Sequence, residues 1–205
     1  MFDRIINTIK NLNNSVEKYK KDTIIQSLPT LTYVNRAKKM LEQNDYEGAE
    51  KVLLEALELP QKDALVYKYL GAVYERTGRN ELAVENYQTS ADINPQDKNI
   101  WQRLGFCLVT AGKFEQAEKS FENSDRVHSG VSETYAGWGM ALMKQKKYSE
   151  AREKFTQAVK SNKYNFSAVF LSAVMEIKLE MYDKAEAKLS FLSNVCPNEA
   201  NTYEY

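Results

Sequence analysis

The sequence predicts an all-α fold, built as a solenoid of stacked helical hairpins. Its residues repeat with a period of 34, and a period of that length is typical of helical-hairpin arrays. Only 8 glycines and 4 prolines occur among 205 residues, which favours long helices over a sheet of many strands and turns. With 43% hydrophobic and 27% charged residues, the composition is that of a folded protein that can bury a core.

The repeat is carried by several positions, each of which recurs at a step of 34 residues. One position always holds a small residue: Ala37, Gly71, Gly105, Gly139 and Ala173. A second position always holds alanine: Ala49, Ala83, Ala117, Ala151 and Ala185. A third holds a large apolar residue: Leu53, Tyr87, Phe121, Phe155 and Leu189. Together these positions define five repeats, at 30–63, 64–97, 98–131, 132–165 and 166–199.

Each repeat is predicted to fold into two helices. In the third repeat, Trp101, Leu104 and Leu108 recur at spacings of three and four, which places them on one face of a first helix. Gly112 is positioned to end that helix. A second apolar stripe, centred on Phe121, predicts the second helix. Small residues where the two helices cross would let their backbones approach, and large neighbouring side chains would fill the remaining space.

The second repeat, 64–97, resembles the consensus of the tetratricopeptide repeat family. The matching residues are Tyr67, Leu70, Gly71, Tyr74, Ala83, Tyr87 and Pro95, and Ser90 stands where the family has a second alanine. The resemblance covers 30–199, most of the chain. It implies a right-handed α-solenoid of helix-turn-helix tetratricopeptide repeats. It also implies a non-catalytic scaffold that binds a protein or peptide partner.

The first and last repeats depart from this pattern. Arg36 and Met40 replace leucine and tyrosine in the first repeat, and the fifth has Val169, Ser172 and Glu176 in place of the aromatic residue, leucine and tyrosine. Terminal repeats often differ because they have only one neighbour. Drift and adaptation to a capping role are both interpretations of these changes.

Residues 1–28 precede the repeats and carry an amphipathic stripe that alternates spacings of three and four. The stripe consists of Phe2, Ile5, Ile9, Leu12, Val16 and Tyr19. We expect an N-terminal capping helix that ends before Pro29 and covers the first repeat. A dimerising coiled coil and a membrane-surface helix are the alternatives.

At the other end, residues 200–205 look like the start of a truncated sixth repeat. Tyr203 falls in the register of Tyr33, Tyr67, Trp101 and Tyr135. We expect either that the chain is a fragment of a longer repeat protein or that a partner covers its apolar C-terminal edge. A homo-oligomer formed through the N-terminal helix or this edge is a further expectation.

In the tetratricopeptide family the first helices of successive repeats line a concave groove. Carried onto this chain, the candidate groove residues are Lys68, Asn99, Gln102, Phe106, Val109, Met140, Met143, Phe170, Val174 and Ile177. Seven of them are large and apolar, and methionine suits permissive binding surfaces because its side chain adapts its shape. We therefore expect the groove of repeats three to five to take an apolar or amphipathic peptide. The alternative is that a missing C-terminal region of the protein itself fills the groove.

Some relatives bind acidic chaperone tails through a clamp of lysine, asparagine and arginine residues. The corresponding positions here hold Lys68, Ala72, Arg103, Glu133 and Gly137, and starting one repeat earlier gives no clamp either. The sequence therefore argues against recognition of chaperone tails.

The sequence argues against an enzyme and predicts no cofactor. His128 is the single histidine, and Cys107 and Cys196 are far apart, so neither a metal site nor a disulfide framework is indicated. No phosphate loop, HExxH or GxSxG motif occurs. With 28 basic and 28 acidic residues the net charge is zero, which disfavours nucleic-acid binding.

The cellular location of the protein is expected from the absence of membrane and secretory segments in the sequence. No apolar run approaches the ~18 residues of a transmembrane segment, and the N-terminus does not read as a secretory signal, so we expect a cytoplasmic protein. Two further roles stay open: a self-associating assembly protein, and the repeat module of a longer protein with an effector domain elsewhere.

Overall fold

A computed structural model describes Lys18 and residues 30–195 of the chain. Every regular element within these residues is an α-helix, so the prediction of an all-α fold is confirmed. The predicted N-terminal capping helix, Cys196 and the start of a sixth repeat lie outside the described residues. The chain divides into two compact units, Met1–Gly78 and Arg79–Tyr205.

The helices follow one another with short connections. They are α1 (30–42), α2 (Tyr46–Leu57), α3 (Ala64–Arg76), α4 (Asn80–Ile93), α5 (Ile100–Thr110), α6 (Phe114–Val127), α7 (Ser132–Lys144), α8 (Tyr148–Ser161), α9 (Phe166–Lys178) and α10 (Tyr182–Val195). Each predicted repeat contains two of them, in the order expected from the two apolar stripes.

The first unit holds α1, α2 and α3. Ala37, Ala49 and Leu53 are fully buried in it, as expected from their recurrent positions at the helix crossing. Asp63 links the first turns of α1 and α3: one carboxylate oxygen accepts the Leu65 amide and caps α3, and the other accepts the Thr30 hydroxyl at 2.8 Å. Such a cap satisfies a backbone amide that the first turn of a helix leaves without a partner.

The second unit stacks α4 to α10 in chain order, each helix against the next. Its core is built on one large residue per second helix, Tyr87, Phe121 or Phe155, and all three are completely buried. A Cβ atom added at Gly105 would lie 2.7 Å from the ring of Phe121, and one added at Gly139 would lie 2.7 Å from the ring of Phe155. This is the close approach that the small-residue register predicts.

Phe121 also reaches the following hairpin. A Cβ atom added at Gly137 on α7 would lie only 2.5 Å from its ring tip. The ring of Phe106 meets that of Phe121 edge-on, with centroids 5.3 Å apart. One aromatic residue thus fills the junction of α5, α6 and α7, which couples two successive repeats.

The turn within each hairpin has one residue with left-handed backbone, always at the same position of the repeat. These residues are Asn44, Gly78, Gly112, Lys146 and Glu180, with φ between 59° and 73°. The expected end of α5 at Gly112 is confirmed. Glycine adopts this conformation without a steric cost, whereas lysine and glutamate do so because the packed hairpin holds them there.

The fifth hairpin is held differently from the others. Its first helix buries Ser172 and Glu176, where the two preceding hairpins have tryptophan or leucine. Lys188 of α10 donates a short hydrogen bond to one oxygen of Glu176. The other carboxylate oxygen and the Ser172 hydroxyl have no hydrogen-bond partner within the described residues. In α10 itself only Ala185 is buried.

Candidate functional site

The predicted groove residues of repeats three to five lie on alternate helices of the second unit. Asn99 precedes α5, and the others are carried by α5, α7 and α9. Lys68 is half-buried on α3 and belongs to the first unit. The candidate site within the second unit is therefore a surface of α5, α7 and α9.

Two contacts fix α5 against α7. The Gln102 side-chain amide donates a hydrogen bond of 3.2 Å to the hydroxyl of Thr134. That hydroxyl also lies 3.1 Å from the buried Ser124 hydroxyl, so α5, α6 and α7 share one polar contact. Next to it, Phe106 packs beside Gly137. Gln102 and Phe106 are consequently half-buried. They pack between repeats and leave only part of their side chains at the surface.

Met140, Met143 and Val174 come together over a single core. All three pack against a cluster of buried residues, which consists of Leu142, Ala151, Phe155 and Met175. Each keeps part of its side chain at the surface. The methionines of α7 and the valine of α9 thus share one buried base, and Val109 of α5 is similarly half-buried.

Three members of the predicted set are exposed, the polar Asn99 before α5 and two large apolar residues on α9. Phe170 is 38% and Ile177 is 44% accessible. Together with Val174 they follow spacings of four and three along α9, which places them on one side of that helix. This exposed apolar stripe is the part of the candidate site that a ligand could contact.

Two charged contacts between helices of the second unit were not identified from the sequence. Glu118 on α6 accepts hydrogen bonds from Gln145 at 2.6 Å and from Lys147 at 2.9 Å. Burial acts to raise the pKa of Glu118, but these hydrogen bonds and the charge of Lys147 outweigh it and hold the pKa below its usual value. The same contact raises the pKa of Lys147.

A second charged contact involves Lys154 on α8. Its ammonium lies 3.3 Å from the ring centroid of Trp138, a cation–π geometry, and burial lowers its pKa. Tyr135, whose hydroxyl donates to Asp125 at 2.8 Å, lies beside the same ammonium. Trp138 is unusual in the sequence, because that position of the repeat usually holds leucine. The sequence alone, however, does not indicate which helix lies against its ring.

The described residues were compared with what a metal centre requires, which is several ligating side chains close together. No group of three or more histidine, cysteine or acidic side chains is placed there to hold a metal ion. Cys107 is buried, and His128 is exposed at the end of α6. Along residues 30–195 there is also no helix with the length and apolar content needed to cross a lipid bilayer.

A family model matches most of the chain. It is described as Psidin, N-terminal TPR repeats region, and it matches residues 38–196. Among curated proteins, human RANBP2-like and GRIP domain-containing protein 1 is 33% identical over 64 residues, which is 31% of this chain. The human E3 SUMO-protein ligase RanBP2 is 30% identical over a segment of the same length. The chain spans only 4% and 2% of those two proteins.

Solved structures share the fold at low sequence identity. The crystal structure of MamA protein superposes with a TM-score of 0.76 and 15% identity, over 86% of this chain and 96% of that one. YrrB, described as a TPR protein with an unusual peptide-binding site, gives a TM-score of 0.74 and 21% identity, over 92% and 93% of the two chains. These likenesses agree with an all-α helical solenoid and carry no information about a ligand.

Proposed function

Since this chain belongs to the tetratricopeptide repeat family, in the group described as Psidin, N-terminal TPR repeats region, we propose that it is a non-catalytic scaffold that binds an apolar or amphipathic peptide on α5, α7 and α9. The observation that carries the proposal is the stripe of Phe170, Val174 and Ile177. Two of these side chains are more than a third exposed on a helix whose other faces are packed. A continuous apolar stripe of this kind is more than scattered exposed residues explain.

The neighbouring methionines extend this stripe. Met140 and Met143 pack on the same buried cluster as Val174, so α7 and α9 share one apolar floor. Their flexible thioether side chains can adapt to ligands of different shape. Burial of ~400 Å² of apolar ligand surface at ~25 cal/mol/Å² would contribute about 10 kcal/mol before the costs of association. Binding in the micromolar range is the expectation that follows.

The peptide is expected to bind as an amphipathic helix or an extended strand. An amphipathic helix would place anchors at spacings of three and four against the α9 stripe. The unusual peptide-binding site ascribed to YrrB, a neighbour in fold, supports a peptide as the class of ligand. A small-molecule substrate is not favoured, because the surface is open rather than enclosed.

The test is selection of binding peptides from a random display library, followed by titration of one labelled peptide against variants of the full chain. We expect Phe170→Asp to weaken binding by about tenfold or more, since a desolvated charge would face the apolar ligand. Leu82→Asp is the matched control, because Leu82 is 39% exposed on α4 and lies outside the candidate site. Ile177 is left unchanged because it also borders α10.

Two outcomes would count against the proposal. The first is a selection that yields no peptide. The second is a selected peptide that binds Phe170→Asp as tightly as the unchanged chain. Circular dichroism of each variant shows whether the helices are intact, so that a loss of binding is not a loss of fold.

A further inference from the structure

The first helices of the third to fifth hairpins carry a further row of side chains beside the apolar stripe. Thr110, Lys144 and Lys178 occupy the same position of the repeat, and all three are exposed. Lys144 lies four residues after Met140, and Lys178 lies four residues after Val174. Residues four apart on a helix are neighbours on its surface, so each lysine extends the candidate site by one turn on the same side of its helix.

The opposite border of the site has a different charge. The residues that lie seven positions, or two helical turns, before Phe106, Met140 and Val174 are also exposed. They are Asn99, Glu133 and Ser167. The candidate site therefore has a border with two cations where the first helices end, and a border with one anion where they begin.

Neither lysine is neutralised within the described part of the chain. No ion pair or side-chain hydrogen bond joins Lys144 or Lys178 to another described residue. In the neighbouring turn, by contrast, the ammonium of Lys147 lies 2.9 Å from the carboxylate of Glu118. A lysine at the end of a helix also interacts favourably with the helix dipole, and Lys160 at the end of α8 has the same advantage. The two lysines differ from Lys160 in their place beside the apolar stripe.

The described residues favour a helical ligand over an extended one. Every regular element among them is an α-helix, so residues 30–195 offer no sheet edge to which an extended peptide could add as a strand. A helix with apolar anchors at spacings of three and four matches the stripe of Phe170, Val174 and Ile177. The two flanks of such a helix then face the two borders of the site, which differ in charge.

We propose that the surface of α5, α7 and α9 binds an amphipathic helix with one acidic flank, whose carboxylates face Lys144 and Lys178. This inference rests on the proposed function and adds the charge of the ligand to it. Charges at the rim of an interface determine which partner is accepted more than they raise the affinity. A basic flank would meet two like charges at the lysines, and a second acidic flank would meet Glu133.

Three synthetic peptides of about 18 residues test the charge of the ligand. They share one leucine stripe at helical spacing and differ in a single flank, which carries glutamate, glutamine or lysine. Fluorescence anisotropy with the full chain measures the Kd of each peptide. At about 50 mM salt the glutamate peptide should bind about tenfold more tightly than the lysine peptide, with the glutamine peptide between them. At about 500 mM salt the difference should fall to about twofold, because ions screen exposed charges.

Reversal of the two charges should reverse the preference. The double variant Lys144→Glu/Lys178→Glu is expected to bind the lysine peptide more tightly than the glutamate peptide. Lys160→Glu is the matched control, because Lys160 is also exposed in the last turn of a helix but lies outside the candidate site. This variant should keep the preference of the unchanged chain. All three lysines are exposed, so the substitutions leave the core intact.

The results that would overturn the inference differ in what they imply for the proposed function. Equal binding of the three peptides, tighter binding of the lysine peptide, or a glutamate preference that survives Lys144→Glu/Lys178→Glu would remove the acidic flank alone. An apolar peptide would then remain the proposed ligand. If none of the three peptides binds, the amphipathic helix is removed from the proposed function as well.

Discussion

The ring of Phe121 leaves no room for a side chain at Gly137. Alanine at that position would place its Cβ 2.5 Å from the ring, and the completely buried ring has no free space to enter. Although alanine favours a helix over glycine by about 1 kcal/mol, we expect Gly137→Ala to destabilise the protein by about 1–3 kcal/mol. Urea unfolding would measure the difference. Glu133→Ala, an exposed change on the same helix, should remain within about 0.5 kcal/mol.

For the pair of Glu176 and Lys188, we expect a single substitution to destabilise the protein and a matched double substitution not to. Lys188→Met would leave the buried carboxylate without its cation, and we expect a loss of about 2–3 kcal/mol. The double change Glu176→Leu/Lys188→Met restores the leucine that α5 and α7 carry at that register, Leu108 and Leu142. It should be at least as stable as the unchanged protein. A double variant as unstable as the single one would show that the pair is not the source of the loss.

Between helices, the contact of Glu118 with Lys147 and Gln145 ties α6 to the turn before α8. The pKa of Glu118 is lowered in the folded protein, so its contribution to stability is complete above the unfolded carboxyl pKa of about 4.3. That contribution is lost as the pH falls through the lower, folded pKa. Because the pKa of Lys147 is raised, its effect on stability depends on pH in the opposite direction. Its contribution is present below the unfolded lysine pKa and is lost as the pH rises through the folded value.

Glu118→Gln should therefore be less stable than the unchanged protein at pH 7, and the gap should shrink as the pH is lowered from about 5 to about 3. Urea unfolding across this range measures it. Glu133→Gln is the control, since Glu133 is exposed at the start of α7. A gap that stays constant between pH 7 and pH 3 would contradict the assigned role of Glu118.

Among the second helices of the hairpins in the second unit, burial decreases toward the C-terminal end. α8 buries Ala151, Phe155 and Ala158, whereas α10 buries only Ala185. Because local opening is easiest where few apolar contacts form, we expect backbone amides of α10 to exchange with deuterium about tenfold faster than those of α8, or more. Mass-spectrometric hydrogen exchange at low micromolar concentration measures this. Equal protection of the two helices would contradict it.

Periodic residues made much of this fold predictable from the sequence. The small-residue register located the helix crossings, and Gly112 located the end of α5, because both depend on contacts inside one hairpin. The half-burial of Phe106 was not predictable, since it depends on how α7 lies against α5 and on Gly137 in the next repeat. For the same reason the sequence overstated the exposed apolar area of the candidate site, whose most accessible apolar members are Phe170 and Ile177.

The left-handed turn residue also bears on how this chain could change over generations. Asn44, Gly78, Gly112, Lys146 and Glu180 share one backbone conformation although their side chains differ, so the identity of that residue is loosely constrained. The number of residues in the turn, by contrast, is tightly constrained. One inserted residue there would rotate the second helix by roughly 100° and carry its buried stripe away from the first helix. Insertions and deletions should therefore accumulate in the links between hairpins, such as the Ser129–Gly130 bend, and spare the turns inside them.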